Sequence, residues 1–345
     1  MSNTAILLMN LGSPDSPTSK DLKPYLTEFL MDKRVIDMPG LLRSIVVKGL
    51  IVPFRASKSA EKYKSIWTKE GSPLVVHTKK LLQLIQERFD EPVYYSMRYG
   101  SPDTASVLER IHKENPQLEH LILFPLYPHY AMSSYETAVV QVQEQYTVAG
   151  YRSSLEIVPP FFADLHYIKA LATSIRPYME SRPDHFLFSY HGIPERHVKK
   201  TDPTKSHCLM TNDCCSTSST AHAFCYRHQI IRTTEGVAAE LGLKKGQFSF
   251  SFQSRLGTDA WLKPYTVTQL ANFPKQGIKK LVIICPAFVS DCLETLEEIE
   301  VEGRELFLES GGEEFAMVPA LNENEEWLKT AELLIRRRMH GVESA

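Results

Sequence analysis

Short apolar runs recur along the chain, and between them lie longer segments in which apolar residues return every three or four positions. The runs predict strands at 4–11, 93–97, 120–127, 154–159, 185–190, 247–252, 279–285 and 314–318. The periodic segments predict helices at 74–89, 103–113, 164–180, 228–241 and 324–338. Strands alternating with amphipathic helices of this length are the signature of βαβ units and mainly parallel sheets.

The pattern runs through the chain twice. Ile6-Leu-Leu-Met-Asn-Leu-Gly-Ser-Pro14 parallels Phe186-Leu-Phe-Ser-Tyr-His-Gly-Ile-Pro194. Tyr95-Ser-Met-Arg-Tyr-Gly100 parallels Phe252-Gln-Ser-Arg-Leu-Gly257. Leu121-Ile-Leu-Phe-Pro125, leading to Ser134-Tyr-Glu-Thr137, parallels Val282-Ile-Ile-Cys-Pro286, leading to Cys292-Leu-Glu-Thr295. Three matches in the same order predict two similar α/β domains, 1–160 and 161–322, with a ligand cleft between the C-terminal edges of their sheets. A last helix, 323–340, could pack on either domain, including back on the first.

Composition narrows the function. A chain of 345 residues with 43% hydrophobic and 23% charged residues suits a globular protein of two ordinary domains. A net charge of −2 and the lack of a recognition motif argue against nucleic-acid binding. Gly-x-Gly-x-x-Gly, the Gly-Lys-Ser/Thr phosphate loop and Gly-x-Ser-x-Gly are all missing, which disfavours nucleotide enzymes and the usual serine hydrolases. The first residues lack the basic region and cleavage site of a signal peptide, and no apolar run approaches the ~20 residues of a membrane span. A cytoplasmic protein is expected. Residues 31–64 depart from the average, mixing Lys33, Arg34, Arg43, Lys48, Arg55, Lys58, Lys62 and Lys64 with Leu41-Leu42, Ile45-Val-Val47 and Leu50-Ile-Val-Pro-Phe54. Such a segment suits an amphiphilic anion or a membrane surface, or else an ordinary packed helix with a charged face.

Candidate chemistry concentrates in the second half. After the buried-looking strand ending at Cys285, Asp291, Glu294, Glu298, Glu302 and Glu305 fall on one face of a predicted helix. Like charges at this spacing repel, so the stripe is either a solvated face or a place where a divalent cation compensates it. Its position just after a strand, where open α/β sheets build sites, favours the second reading for its first turn. His191 ends the first strand of the second half, and histidine with glutamate suits a divalent metal or proton transfer near neutral pH. Tyr63, Tyr127, Leu256 and Trp261 offer flat apolar walls, and Arg55, Ser72 and Arg98 offer donors for carboxylates, a set that fits a large planar anion. Cys208, Cys214, Cys215 and Cys225 cluster as C-x5-C-C-x9-C. Four thiolates suit a 2Fe–2S cluster; nearby His207, His222 and His228 leave zinc open.

These residues closely resemble the ferrochelatase family. The motifs are Ser189-Tyr-His-Gly-Ile-Pro194, Phe252-Gln-Ser-Arg-Leu-Gly257, Trp261-Leu-x-Pro264 and Phe288-x-Ser-Asp-x-Leu-Glu-Thr-Leu-Glu-Glu298, within a likeness running from about Ile6 to about Val318. The resemblance implies two Rossmann-like domains with parallel four-stranded sheets flanked by helices, and insertion of Fe²⁺ into protoporphyrin IX to give haem with release of two protons. It implies that His191 and Glu294 face each other across the macrocycle as metal-binding and proton-accepting residues, with the division of roles open. It makes Glu298 and Asp291 an acidic path for protons or metal, and Leu256 and Trp261 porphyrin walls. Arg55, Tyr63 and Ser72 match the region that meets the propionates and the ring edge. Leu26, Leu30 and the apolar stretch after Pro39 resemble a porphyrin lip facing the inner membrane surface. Leu11 stands where some members carry Tyr and others Met, and Cys292 where animal relatives carry His. The four clustered cysteines resemble the internal 2Fe–2S type of some bacteria. Another tetrapyrrole and metal pair (coproporphyrin III with iron, or a corrinoid precursor with cobalt), a non-catalytic haem or iron carrier, and a zinc-bound cysteine module are the rival readings.

Overall fold

A computed structural model describes residues 3–255, 257 and 259–339. It contains two four-stranded sheets: β1 (Thr4–Ser13), β2 (Val93–Gly100), β3 (His120–Pro125) and β4 (Ser154–Ile157), then β5 (His185–His191), β6 (Phe248–Gln253), β7 (Lys280–Ile284) and β8 (Glu314–Met317). The strand orders are β2-β1-β3-β4 and β6-β5-β7-β8, and every pairing is parallel. All eight predicted strands are present, and the two halves have the same topology. Consecutive parallel strands must be joined by crossovers, and the helices supply them. Ala5 to Leu8 and Leu187 to Phe188 have no exposed surface, as expected of central strands covered on both faces.

The repeat is exact in topology but not in register. Ile6 and Phe186 are equivalent by motif, yet Ile6 lies opposite Ile122 while Phe186 lies opposite Val282, the motif partner of Leu121. Leu8 lies opposite Tyr95, whereas Phe188 lies opposite Phe250, two residues before the motif partner of Tyr95. A one-residue slip reverses which face a side chain meets, and strands buried on both faces tolerate it because either face is apolar.

The chain divides into two compact units: residues up to Leu126 with Met132–Pro159 and the chain from Leu328, and Tyr127–Ala131 with Pro160–Trp327. Within the first, Arg336 of the last helix donates to the carbonyl of Arg88 (2.8 Å) and Arg88 pairs with Glu332 (3.2 Å). Within the second, Trp327 is fully buried and stacks on Phe161 at 5.6 Å between centroids. Caps fix several helix starts: Asp103 accepts from Ser106 N (3.0 Å), and Asp164 accepts from His166 N (2.9 Å).

Three longer helices outside the predicted ones lie in the first unit, Ser19–Met31, Val52–Ile66 and Thr137–Ala149, the second within residues 31–64, where a packed helix is one of the readings. The second buries Val52, Ala56, Ala60 and Tyr63 while leaving Phe54 in solvent, so its inner face is small and its large apolar residue points outward. Three segments wind as π-helix: Ile45–Ile51, Met132–Glu136 and Leu296–Gly303. The acidic stretch is therefore not one regular α-helix, as its spacing predicts, but a short α-turn (Leu293–Thr295), a π-helix and a second α-segment (Arg304–Glu309). Helix of this kind is rare overall and frequent at functional sites, and its wider i→i+5 turn breaks the single acidic stripe. Glu302 and Glu305 are exposed, as expected of the outer part of that stripe.

Candidate active site and thiol cluster

His191 closes β5 opposite Gln253, the last residue of β6. Its Nδ1–H donates to the Gly192 carbonyl (2.7 Å), which fixes the tautomer and leaves Nε2 carrying a lone pair. Among the described residues nothing hydrogen-bonds to Nε2. The His191 carbonyl accepts from the Tyr226 hydroxyl (2.9 Å), and Phe288 packs edge-on against the imidazole at 6.4 Å between centroids. Gly192 is obligatory here, since a Cβ would lie 2.8 Å from the Gln253 carbonyl and 3.1 Å from Trp261 Cε3. Trp261 bridges Pro194 across this turn; it is buried, and its indole N–H has no hydrogen-bond partner among the described residues.

Gln253 ties the histidine strand to the acidic segment. Its side-chain N–H donates to the Glu294 carbonyl (2.8 Å), and its Oε1 accepts from Ser189 Oγ (2.8 Å). Ser189 in turn bonds Thr266 Oγ1 (2.9 Å), which bonds Ser251 Oγ (2.7 Å). The Ser189 proton is committed to Gln253, so Thr266 donates to Ser189 and Ser251 to Thr266. A one-way chain of buried donors thus orients the amide that holds Glu294, and such chains strengthen their members. His191 and Glu294 consequently belong to one sheet end.

The carboxylates of the acidic segment have different surroundings. Glu294 is half-buried, and among the described residues no basic side chain pairs with it; the Cys292 thiol hydrogen-bonds to it. Burial first, and the neighbouring Glu294 charge next, hold that thiol well above its ordinary range, so it stays protonated and donates. Glu298 accepts from the hydroxyl of Ser254, a non-glycine residue at φ +63°. A left-handed backbone of this kind costs energy and persists where the surroundings impose it, commonly at sites. Asp291 is buried and serves as an anchor: it accepts from Asn322 Nδ2 (2.7 Å), Thr295 Oγ1 (2.9 Å) and Ala320 N (3.2 Å). These bonds pin the loop after β8 to the start of the acidic segment.

Residues expected of a porphyrin site in the first unit are placed as follows. Leu11 is half-buried at the end of β1, Leu26 is half-buried, and Arg55 is exposed. Ser72 is buried at the start of helix Pro73–Gln86 and makes no side-chain cap bond, and Tyr63 is buried with its ring edge-on to Trp67 at 6.1 Å. Leu30 lies in an apolar cluster with Val47 and Val52, beneath the segment whose exposed face carries Leu41 (79% exposed), Leu42, Ile45, Leu50 and Phe54 (78%). Arg98 does not offer itself to a ligand carboxylate: it pairs with buried Asp32 (2.5 Å) and donates to Thr137 (2.8 Å). Leu256 lies outside the described residues.

The cysteine segment gathers its thiols. Cys214 and Cys215 Sγ are 4.0 Å apart, and Cys225 hydrogen-bonds to both Cys208 and Cys215. Burial pushes the Cys208 thiol up to about 11, and hydrogen bonding to Cys225, then burial, raise that of Cys215. Asp202 organises the loop by accepting from the amides of Cys208 (2.8 Å), His207 (2.9 Å) and Thr204 (2.8 Å). Arg227 Nη1 lies 3.7 Å from the sulfurs of Cys214 and Cys215. The histidines hold the loop: His207 Nε2 (2.7 Å) and His222 Nε2 (3.0 Å) donate to the Cys214 carbonyl, and His228 Nδ1 (2.7 Å) donates to the Cys215 carbonyl. Each of those nitrogens carries its proton and is closed to a metal. Among the described residues no three His, Cys, Asp or Glu side chains already stand as a metal cage. The donor set itself, four neighbouring thiols with a cation alongside, fits an iron–sulfur group.

Sequence reasoning singled out His191, Glu294 and Glu298 but not Gln253, Tyr226 or Ser254, which hold them. Gln253 and Ser254 stand inside a motif already conspicuous, and Tyr226 follows Cys225 directly; their roles are long-range and visible only once the strands are paired.

Two parallel four-stranded sheets of one topology, one of them carrying an imidazole with an Nε2 lone pair and Glu294 at the same strand end, define an α/β protein of the chelatase fold. The fold matches SirB from Bacillus subtilis with Fe³⁺ (TM-score 0.55, 10% identity, 97% of this chain and 95% of that one) and the sirohydrochlorin chelatase SirB of Bacillus subtilis subspecies spizizenii with cobalt (TM-score 0.53, 10% identity, 98% and 96%). At that identity the likeness concerns fold alone. The ferrochelatase family model matches residues 3–339, and the chain belongs to that family. Curated ferrochelatases of Opitutus terrae (49% identical over 326 residues, 94% of each chain) and Stutzerimonas stutzeri (44% over 339 residues, 98% of each) are among its relatives.

Proposed function

We infer that this chain is a metal–porphyrin chelatase, a lyase that inserts Fe²⁺ into protoporphyrin IX and releases two protons in making haem. Family membership over almost the whole chain carries the reaction. The free Nε2 lone pair of His191 carries the assignment of residues.

Metallation requires that two pyrrole protons leave and that a cation shed its water before reaching four ring nitrogens. His191 Nε2 is a base or a metal ligand by the same lone pair, and Glu294, held by its own carbonyl, supplies the second basic group. Glu298, hydrogen-bonded by Ser254, continues the carboxylate path outward. Asp291 is assigned to positioning rather than to the relay, because three donors from the loop after β8 and from Thr295 already engage it. Trp261 and Leu256 are proposed as walls for the macrocycle, with Leu11, Leu26, Tyr63, Ser72 and Arg55 as the first unit's contacts; Leu30 supports that lip from beneath.

Two further roles belong to the same reading. Cys208, Cys214, Cys215 and Cys225 would hold a 2Fe–2S cluster, which insertion does not use as an electron carrier because no redox change occurs. Four neighbouring thiols, with the Arg227 guanidinium beside two of them, support this reading. The exposed Leu41, Leu42, Ile45, Leu50 and Phe54, with Lys48, Arg55 and Lys58 beside them, would rest on an anionic membrane surface. No helix among the described residues is long and apolar enough to cross a membrane.

The test is anaerobic turnover with Fe²⁺, comparing protoporphyrin IX with coproporphyrin III, in wild type, His191→Ala and Glu294→Gln. Preference for protoporphyrin and near-abolition in both variants is expected; full activity in either variant removes that residue from the mechanism. Visible absorption, iron and acid-labile sulfide in the purified protein test the cluster.

A further inference from the structure

Helix Tyr226–Glu240 begins immediately after Cys225, and Cys225 caps it: its sulfur accepts from His228 N at 3.5 Å. The next residue, Tyr226, is buried, and its hydroxyl reaches the backbone carbonyl of His191 at 2.9 Å, thirty-five positions away in sequence. Burial holds that phenol above its ordinary range, so it serves as a donor. Its socket is rigid. His129, buried, packs edge-on against Tyr226 (5.9 Å) and Tyr190 (5.5 Å), and bonds Thr233 of the same helix at 2.9 Å. Tyr190, the residue before His191, bonds Thr234, also on that helix, at 2.8 Å. The strand end carrying His191 is thus tied to the helix whose first turn is set by a cluster cysteine.

We propose that Tyr226 is a positioning residue for His191, and that through it the order of the cysteine segment determines how firmly His191 is held. This rests on the reading of His191 as the metal- or proton-handling residue. The argument is geometric. Cys225 fixes where the helix starts, the helix start fixes the phenol, and the phenol fixes the carbonyl of a residue whose Nδ1 bonds the following carbonyl. Hydrogen-bonded supports of this kind commonly change metal affinity or activity by 10- to 100-fold when removed.

The experiment uses the full chain and reads hydrogen exchange of the peptide covering residues 191–193 together with kcat and KM. Tyr226→Phe keeps the ring and loses the hydroxyl. Faster exchange at 191–193, a fall in kcat of about tenfold, and a porphyrin KM within about twofold are expected, with the visible spectrum of the cysteine segment unchanged. Wild-type exchange and kcat in this variant overturn the proposal. Cys225→Ser is then compared in both backgrounds. It should speed exchange at 191–193 in wild type and add nothing in Tyr226→Phe; equal increments in the two backgrounds mean that the coupling bypasses Tyr226. If Tyr226→Phe does not accumulate as folded protein, Cys225→Ser alone decides, and unchanged exchange at 191–193 overturns the coupling. Failure of the underlying reading is distinct: it shows as turnover surviving in His191→Ala and leaves the exchange results untouched.

Discussion

The C-terminal ends of the two sheets carry the same parts put to different use. After β3 the chain reads Ser134-Tyr-Glu-Thr137 and after β7 it reads Cys292-Leu-Glu-Thr295, and in each the threonine hydroxyl donates to a buried aspartate, Asp32 or Asp291. Glu136 is paired with Arg34 (3.1 Å), while Glu294 has no basic partner among the described residues. In the first unit Asp32 collects Arg98 (2.5 Å), Tyr99 (3.0 Å), Thr137 and the amide of Arg34 (2.7 Å). Burial alone would raise that carboxyl; these donors more than offset it and hold it below its ordinary value. The charged groups named there are paired with one another. In the second unit His191 and Glu294 are tied through their backbone carbonyls, Nε2 accepts no hydrogen bond among the described residues, and Glu294 accepts from the neutral Cys292 thiol. A duplicated fold has therefore kept its structural threonine–aspartate contact twice and the groups proposed to react once.

Exchanging the two glutamates' fates is the most forceful way to break this comparison. Glu294→Gln should lower kcat by about 10² to 10⁴, the range for loss of a positioned acid–base group. Glu136→Gln should leave steady-state kcat within about twofold, since its role is an ion pair with Arg34. Comparable losses in the two variants would mean that both sheet ends take part in the chemistry.

Stability should show the opposite asymmetry. Asp32→Asn leaves the Arg98 guanidinium buried without its counter-charge, a class of change that costs about 3–5 kcal/mol. Asp291→Asn removes no ion pair and weakens hydrogen bonds to Asn322, Thr295 and Ala320, for about 1–3 kcal/mol. Urea denaturation followed by tryptophan fluorescence gives both values, and a larger loss for Asp291→Asn would invert the assignment of a structural first mouth.

A finer probe is the clamp on Glu294. Gln253→Leu removes the donor to the Glu294 carbonyl and leaves Ser189 to turn its proton elsewhere in the buried chain. A fall in kcat of roughly tenfold, with porphyrin KM little changed, is expected. A rise in KM alone would mean that Gln253 shapes the porphyrin pocket instead.

Much of this was legible beforehand, for identifiable reasons. Parallel strands buried on both faces write themselves as continuous apolar runs, so all eight were visible, as were two domains' worth of repeated motif. Helix Val52–Ile66 was legible only as one alternative for residues 31–64, because Ala56 and Ala60 form its inner stripe and Phe54 its outer one, the reverse of the usual pattern. The π-turns were invisible, since no residue type marks the step from i→i+4 to i→i+5 bonding. At the site, the ionisable residues stood out by type and position. Their holders did not: Gln253 and Tyr226 act on backbone carbonyls of distant residues, and Arg98, whose charge suggested a ligand, is neutralised by an aspartate sixty-six positions away.

Per pH unit, an effect no larger than that roughly tenfold change in kcat concerns what lies beneath the second mouth. His129 is buried against the rings of Tyr190 and Tyr226 with Nε2 on Thr233, and burial pushes it down to about 3. Tyr190 and Tyr226 both stay protonated across the acid range, so they add no proton exchange of their own. In the unfolded chain a histidine titrates near 6.5. Above that pH both states are neutral and His129 contributes no pH dependence. Between about 6.5 and about 3 the unfolded state binds a proton that the folded state refuses, so stability falls as pH falls, by up to about 1.4 kcal/mol per pH unit. Below about 3 the loss is complete and the slope vanishes. Other histidines contribute to the total slope, so the informative quantity is the difference between wild type and His129→Gln, which retains a group able to bond Thr233. The variant should lose the acid-side slope attributable to one proton while matching the wild-type curve's shape above pH 7. Parallel stability curves from pH 5 to pH 7 would show that His129 takes up its proton in place, and the rigid socket beneath His191 would then lose one of its walls.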